Sequence, residues 1–324
     1  MGGPQDLLAD QPELAAGLTI RQTRPEDDAD YARLLSLVMT AAYDVDALRE
    51  RRERYAHKQW HVRVAEVDGL VAGVAELVQS GAGAFAMCRI VVDPEMRRKG
   101  IGSSLLREVA NHPLYGSQKV FAQTPDNDES AVRFVERAGF VREAHVFESF
   151  IDPGEFDIAP YLPMIEGVKS GGLRIATLAE LGASLENRRK VFDLETTTDK
   201  DIPGLDLDHL PSWEDAKRTW YQARWYDPGA EFIALDGEQF VGASAVAEMA
   251  PGTWSILHTC TLRDYRGRGI GTALKALATD YAKQEGSRLL KTNNHSGNDA
   301  MLSINRRFGF QPMPGWFEYT KFSD

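Results

Sequence analysis

The feature that most constrains this chain is that it repeats itself. "VDPEMRRKGIGSSLL" (92–106) matches "TLRDYRGRGIGTALK" (261–275), and Gly269 follows Gly100 by 169 residues. "SAVRFVERAGF" (130–140) matches "AMLSINRRFGF" (300–310), with Gly139 and Gly309 170 residues apart. "VAEVDGLVAGVAEL" (64–77) resembles "FIALDGEQFVGASAVA" (232–247), with Asp68 and Asp236 168 apart. Three blocks at nearly one offset describe a duplicated domain, since the period is too long for a solenoid. The segment "DPGEFDIAPYLPMIEGVKSGG" (152–172) is rich in proline and glycine and lacks sustained periodicity, which suits a connection. The expected organisation is a domain over 17–152, a linker over 153–171 and a second domain over 172–324.

Each copy reads as mixed α/β. In the second, "LRIATL" and "EFIALDG" alternate like strands, and Asp236-Gly237 signals a hairpin. "TWSILHTCTL" (253–262) alternates Trp254, Ile256, His258, Cys260 and Leu262 against the residues between them. A glycine cluster follows, then a helix whose apolar residues Leu274, Leu277, Ala278, Tyr281 and Ala282 share one face. Gly286 ends it, "SRLLKT" (287–292) supplies another strand, and a short helix over about 299–307 stops at "FGF".

Glycine weakens helices, so its concentration at a helix start needs a reason. A strand feeding a helix through glycines exposes the first unpaired N–H groups, and with the helix dipole these make a site for phosphate. Arg266 and Arg268 add positive charge beside it. A P-loop would need Gly-Lys-Ser/Thr, which neither copy has, and a dinucleotide fingerprint would need glycine where Thr272 stands.

Both copies do fit R-x-x-G-x-G, through Arg97, Gly100 and Gly102 and through Arg266, Gly269 and Gly271. With the duplicated order of strand, loop, helix and G-F, the chain resembles the GNAT superfamily of acyl-CoA-dependent N-acyltransferases over about 17–152 and 172–324. The resemblance implies an α/β fold with a mixed sheet, two tandem GNAT domains and acetyl-CoA as cofactor. It implies pyrophosphate contacts from Arg266, Gly267, Arg268, Gly269, Ile270, Gly271 and Thr272. The matching residues of the first copy are Arg97, Arg98, Lys99, Gly100, Ile101, Gly102 and Ser103. It further implies that the backbone of Ile90, Val91 and Val92, and of Thr259, Cys260 and Thr261, meets the pantetheine arm, whatever their side chains pack against. Asn298 matches a family asparagine; it contacts CoA or caps the short helix, and Asp128 is its counterpart.

GNAT chemistry is direct attack of a neutral amine on a thioester, aided by a base and an acid. Many members carry the acid as a tyrosine four residues before the G-F glycine. Here those positions are Asn305 and Val135. Asparagine donates a hydrogen bond without giving up a proton, and valine does neither. For the base, His258 has a suitable ordinary pKa, packing is its alternative role, and a bulge would change the face it uses. Glu248, like Glu76 in the first copy, is either a base or a solvated strand-end carboxylate, and His295 lies in "NNHSGN". The catalytic candidates are Asn305, His258 and Glu248, all in the second copy. His57 and His61 lack a matching carboxylate set, so no metal is expected.

The stretch 194–215 carries Glu195, Asp199, Asp201, Asp206 and Asp208 where the family forms its acceptor wall, as an acidic lip for an amine or a solvated loop. The net charge of −11, from 48 acidic and 37 basic residues, disfavours nucleic acid. No signal pattern or membrane-length apolar run occurs, and Cys88 and Cys260 sit in apolar runs as free thiols, so a cytoplasmic protein is expected. The leading expectation is an acetyl-CoA-dependent N-acetyltransferase acting on an amine acceptor, a small molecule rather than a protein. The competing one is a non-catalytic acyl-CoA or small-molecule binding protein.

Overall fold

The computed structural model describes residues 15–38, 43–80, 85–116, 119–202 and 210–322. Contacts divide the chain into a first unit, Met1–Ala144 with Trp316–Asp324, and a second unit, His145–Gly315.

The first unit runs β1 (Thr19–Gln22), α1 (Asp28–Ser36), α2 (Val45–Arg54), β2 (Trp60–Val67), β3 (Leu70–Ser80), β4 (Phe85–Val92), α3 (Ile101–Ala110), α4 (Pro113–Gly116), β5 (Lys119–Pro125) and α5 (Glu129–Arg137). Strand β6 (Val141–Ile151) begins there and ends in the second unit. The second unit continues with α6 (Leu162–Ser170), β7 (Arg174–Thr177), α7 (Leu185–Asp199), α8 (Trp213–Thr219), β8 (Glu231–Asp236), β9 (Gln239–Ala250), β10 (Thr253–Thr261), α9 (Ile270–Gln284), β11 (Leu289–His295) and α10 (Asp299–Phe308). Strand β12 (Gln311–Lys321) then returns the chain to the first unit.

In the first unit the sheet order is β1-β2-β3-β4-β5-β12, and in the second β6-β11-β10-β9-β8-β7. Within each unit the described pairings are antiparallel except β4 with β5 and β10 with β11. Each sheet is therefore closed by a strand segment from the other repeat: Trp316–Lys321 pair with β5, and Val146–Ile151 pair with β11. This departs from the expected boundaries of 17–152 and 172–324. The two terminal strands occupy matching places in the repeat, so the pattern that makes each a strand does not choose which copy it completes.

The expected linker is also folded. Ile165 and Val168 lie three apart on α6 and join a buried cluster with Ile270, Ala273 and Leu274 of α9. Helix α9 itself covers β8, β9 and β10, with Leu274, Ala278 and Ala282 fully buried.

Both parallel pairs part company. The ladder between β4 and β5 ends at Met87/Phe121, and that between β10 and β11 ends at Ile256/Thr292. Strands β4 and β10 run on for five more residues, to Val92 and Thr261. Their edges there are no longer laddered to the parallel neighbour. Cys88 and Cys260 are free thiols. Among the described residues no helix is long and apolar enough to cross a membrane.

Candidate functional site

The glycine loop of the second unit starts where β10 ends. A 3₁₀ turn, Arg263–Tyr265, leads to Gly267 and Gly269, which have φ of +76° and +77°, and α9 begins at Ile270. Gly269 is the N-cap, so by helix geometry the peptide N–H groups that follow point out of the helix start. A side chain at Gly269 would strike Met164 of α6, and one at Gly271 would press on Thr261 at 3.2 Å. In the first unit Gly100 has φ +74° and caps α3, but Arg98 holds φ +65° where the sister loop has Gly267. These helix starts fit an anion such as a pyrophosphate.

The motif arginines act as braces. Nε of Arg266 donates to the Thr261 carbonyl at 3.1 Å, and Nε of Arg97 donates to the Val92 carbonyl at 3.3 Å. Each spans five residues and ties the loop to its own strand. Arg266 also pairs with Asp201 at 2.7 Å, and Arg97 with Asp128 at 3.0 Å.

Just past the point where β10 leaves β11, the β9–β10 ladder slips by one residue: Ile256 faces Val246 and His258 faces Ala245. Leu257 is the extra residue of a β-bulge, which leaves its peptide out of step with the ladder. His258 is thereby set between two elements. Its Nδ1 lies 2.7 Å from Glu195 Oε1 of α7, and its Nε2 lies 3.8 Å from Glu231 Oε1 of β8. The 2.7 Å approach is out of line for an N–H bond, so the contact is an ion pair. Glu231 is 2% exposed, and its other oxygen accepts the Tyr226 hydroxyl at 2.7 Å.

Burial alone would lower the pKa of His258, but Glu195 and Glu231 outweigh it and lift the imidazole to about 9. Burial pushes Glu231 up, with Glu195 adding to the effect and His258 opposing it. Asp199, on the same face of α7 as Glu195, is raised to about 6 by burial and by Glu195. Glu195, Glu231 and His258 offer ligand atoms within 4.8 Å of one another, which is metal-ligand spacing. The two ring nitrogens, however, face different carboxylates, and a positive charge on the ring balances them electrostatically.

Glu248, expected as a base candidate, is exposed at the far end of β9. It faces Trp254 and accepts the Gly252 N–H at 2.8 Å, which makes it a turn cap remote from the bulge. Asn305 is 3% exposed and committed on both sides: its oxygen accepts from Lys275 and its nitrogen donates to Asn294. Asn294 in turn donates to Ser149 at 2.9 Å. Asn298 caps α10 by accepting the Met301 N–H at 3.2 Å, and Asp128 caps α5 in the same way. His295 closes β11 opposite Val146. His61 stacks on His112 with centroids 4.0 Å apart, and burial lowers its pKa to about 4.

Glu195 and Asp199 belong to α7, so the first part of the expected acidic loop is helix. Asp201 is held by Arg263 and Arg266 and braces the glycine loop, so it is not free for a ligand. Asp206 and Asp208 lie outside the described residues. Among the described residues Thr259, Cys260 and Thr261 ladder with Ser244, Ala243 and Gly242 on one edge only, as Ile90, Val91 and Val92 do with Ala75, Val74 and Gly73. Those open edges suit an extended ligand that needs backbone partners. Sequence reasoning missed Glu231 and Lys275. Their signal was a charged residue on an apolar face: Glu231 opens an alternating strand, and Lys275 sits within the buried face of α9.

The same ladder positions in the first unit hold different residues. Gly73 faces Val92 as Gly242 faces Thr261, which fixes the correspondence. By that register Arg89 stands in the place of His258, and Glu76 in the place of Ala245. Glu76 is 1% exposed, pairs with Arg51 at 2.5 Å and Arg89 at 2.6 Å, and accepts the Tyr31 hydroxyl. Burial opposes its charge, yet Arg89 and Arg51 hold its pKa down near 2. The β3–β4 ladder has no bulge.

Comparison with known proteins agrees with the repeat. A family model described as an acetyltransferase (GNAT) domain matches residues 58–142, and one described as the acetyltransferase (GNAT) family matches 200–310. A mycothiol acetyltransferase of Geodermatophilus obscurus is 22% identical over 92% of this chain and 96% of its own length. One of Salinispora arenicola is 25% identical over 96% and 94%. Among solved structures, a GCN5-related N-acetyltransferase from Sphaerobacter thermophilus superposes with a TM-score of 0.71 at 18% identity, over 95% of this chain and 96% of that one. A tandem GNAT protein from the clavulanic acid biosynthesis pathway gives 0.69 at 19%, over 95% and 99%.

Proposed function

The chain belongs to the GNAT superfamily as a tandem acetyltransferase, and from that premise we propose that its second unit acetylates a small-molecule amine by direct attack, with acetyl-CoA as donor. Acetyl-CoA, when bound, supplies a thioester carbonyl and a thiolate leaving group. The helix start at Gly269 to Thr272 would hold its pyrophosphate, and the open edge of Thr259 to Thr261 its pantetheine amides. Residues Arg97 to Ser103 and Ile90 to Val92 offer the same features in the first unit, as a second cofactor site without chemistry.

The observation that carries this reading is the placement of His258. It stands at the bulge where β10 leaves β11, between two carboxylates, in the unit that keeps both loop glycines. His258 takes the proton from the incoming ammonium by relay rather than by contact, since both ring nitrogens are buried against carboxylates. A base near 9 is well matched to an alkylammonium, so the transfer is close to balanced and needs little driving force. Glu195 and Glu231 hold the ring and stabilise the imidazolium that forms. Asp199 receives the ammonium, and the displaced peptide at Leu257 offers an N–H to the developing oxyanion. Asn305 stays with Lys275 and Asn294, so the thiolate leaves without a side-chain acid and is protonated from water. The kinship to mycothiol acetyltransferases favours a small-molecule acceptor over a protein.

The test is release of free thiol from acetyl-CoA across an amine panel, for the wild type and for His258→Gln. Turnover that falls in the variant with unchanged CoA affinity supports the assignment. CoA binding without release for any amine would favour the non-catalytic binding protein.

A further inference from the structure

Arg188 sits on α7 seven residues before Glu195, on the stripe that continues to Asp199, so its Cα is about 10 Å from that of Glu195 along the helix. Its guanidinium lies over the rings of Tyr221 and Tyr226, 5.8 Å and 5.4 Å from their centroids. Tyr226 is the residue that hydrogen-bonds Glu231, so the cation stands beside the His258 cluster. The only hydrogen bond from this side chain among the described residues runs from Nη1 to the Tyr221 carbonyl at the long distance of 3.5 Å. Its Nε is buried without a partner, and it makes no ion pair among the described residues. Arg189, next to it, is paired with Asp193 at 2.8 Å. The Tyr221 hydroxyl donates to the Arg188 carbonyl at 3.1 Å, which fixes the backbone from which the side chain projects.

A guanidinium carries five donors in a fork that matches carboxylate or phosphate oxygens. One held by two aromatic faces but left short of acceptors is organised for a ligand that brings them. We propose that Arg188 receives an anionic group of the acceptor, so that the substrate is an amine also bearing a carboxylate or phosphate. This rests on the reading of the second unit as the acceptor site. The ammonium then lies towards Asp199 and the anion towards Arg188, along one face of α7.

The test is calorimetric binding in the presence of CoA, which is independent of turnover. Two matched pairs separate the sources of charge: glucosamine with glucosamine 6-phosphate, and hexylamine with 6-aminohexanoate. At least one anionic member is expected to bind tenfold or more tightly than its neutral partner, consistent with one charge-assisted fork. In Arg188→Gln that ratio falls to about one. Arg188→Lys, which keeps the charge and loses the fork, gives an intermediate ratio and covers the case in which Arg188→Gln fails to fold. Ratios near one in the wild type, no binding of either anionic probe at millimolar concentration, or a ratio unchanged in both variants would overturn the proposal. Thiol release from acetyl-CoA with a neutral amine would leave the acetyltransferase reading standing in that event.

Discussion

The two units share the glycine loop's place after the strand and the parting of their parallel strands, and they differ most at one cross-strand position. Where β9 and β10 place Ala245 opposite His258 at a bulge, β3 and β4 place Glu76 opposite Arg89 on a regular ladder. An arginine never titrates in the working range of an enzyme. Glu76, clamped by two arginines and a tyrosine, has no lone pair to spare and no reason to take a proton. The first unit thus uses the position for an ion-paired core, and the second holds a histidine between carboxylates that titrates near 9. A repeat can preserve a binding cradle in both copies while only one keeps groups able to move a proton.

The strongest way to break this comparison is to disable each cradle. Gly269→Glu should remove turnover, whereas Gly100→Glu should leave most of it, as measured by thiol release with folding checked by circular dichroism. Both glycines have φ near +75°, so the backbone cost of the new side chain is shared. An inactive Gly100→Glu with an active Gly269→Glu would reverse the roles of the units.

His258→Gln comes next, with an expected loss of 10² to 10³-fold in kcat at about constant CoA affinity. The wild-type rate should climb with pH towards about 9, because His258 must be neutral to accept a proton and its pKa is raised. Glu195→Gln removes the main cause of that raise, so the ascending limb should move to lower pH. A limb that does not move would detach Glu195 from the base.

Glu76→Gln tests the other side. It leaves two largely buried guanidinium groups without a counter-charge and should destabilise the protein by about 3 kcal/mol in chemical denaturation at pH 7. Because the folded pKa of Glu76 lies below its ordinary 4.5, its contribution is present above pH 4.5 and lost as pH falls towards 2. The difference between variant and wild type should shrink over that interval.

A last test concerns Lys275, fully buried with no carboxylate partner among the described residues and lowered by burial to about 7. The unfolded chain binds its proton more readily than the folded one between pH 7 and 10.5. Stability should therefore rise across that window, by at most about 1.4 kcal/mol per pH unit. Lys275→Met should be more stable than the wild type below pH 7 and lose that advantage by pH 10.5. Leu106, the matching residue of the first repeat, already shows that the site accepts an apolar side chain.

The sequence made much of this legible. The repeat, the hairpin at Asp236-Gly237 and the helix that begins after Gly269 all depend on local pattern, and they stand where pattern places them. The cluster around His258 was only half readable. The alternation from Trp254 to Leu262 looks unbroken, and nothing in it marks Leu257 as an extra residue, because a bulge is a property of two strands and not of one. Glu195 and Glu231 come from elements 36 residues apart in sequence, and only the tertiary fold brings them to one imidazole. Asn305 shows the opposite case: its place in a motif suggested chemistry, and nothing local to it announced the buried hydrogen bonds with Lys275 and Asn294.

The exchanged terminal strands have a consequence for how such a chain is inherited. A deletion that discards the first repeat takes β6 with it and strips a strand from the second sheet; discarding the second repeat does the same to the first through β12. A copy that took no part in proton transfer would then still be indispensable as the donor of a neighbour's last strand. Selection for one copy would hold the other in place, and a chain nicked between residues 153 and 171 should remain a single particle in native gel filtration.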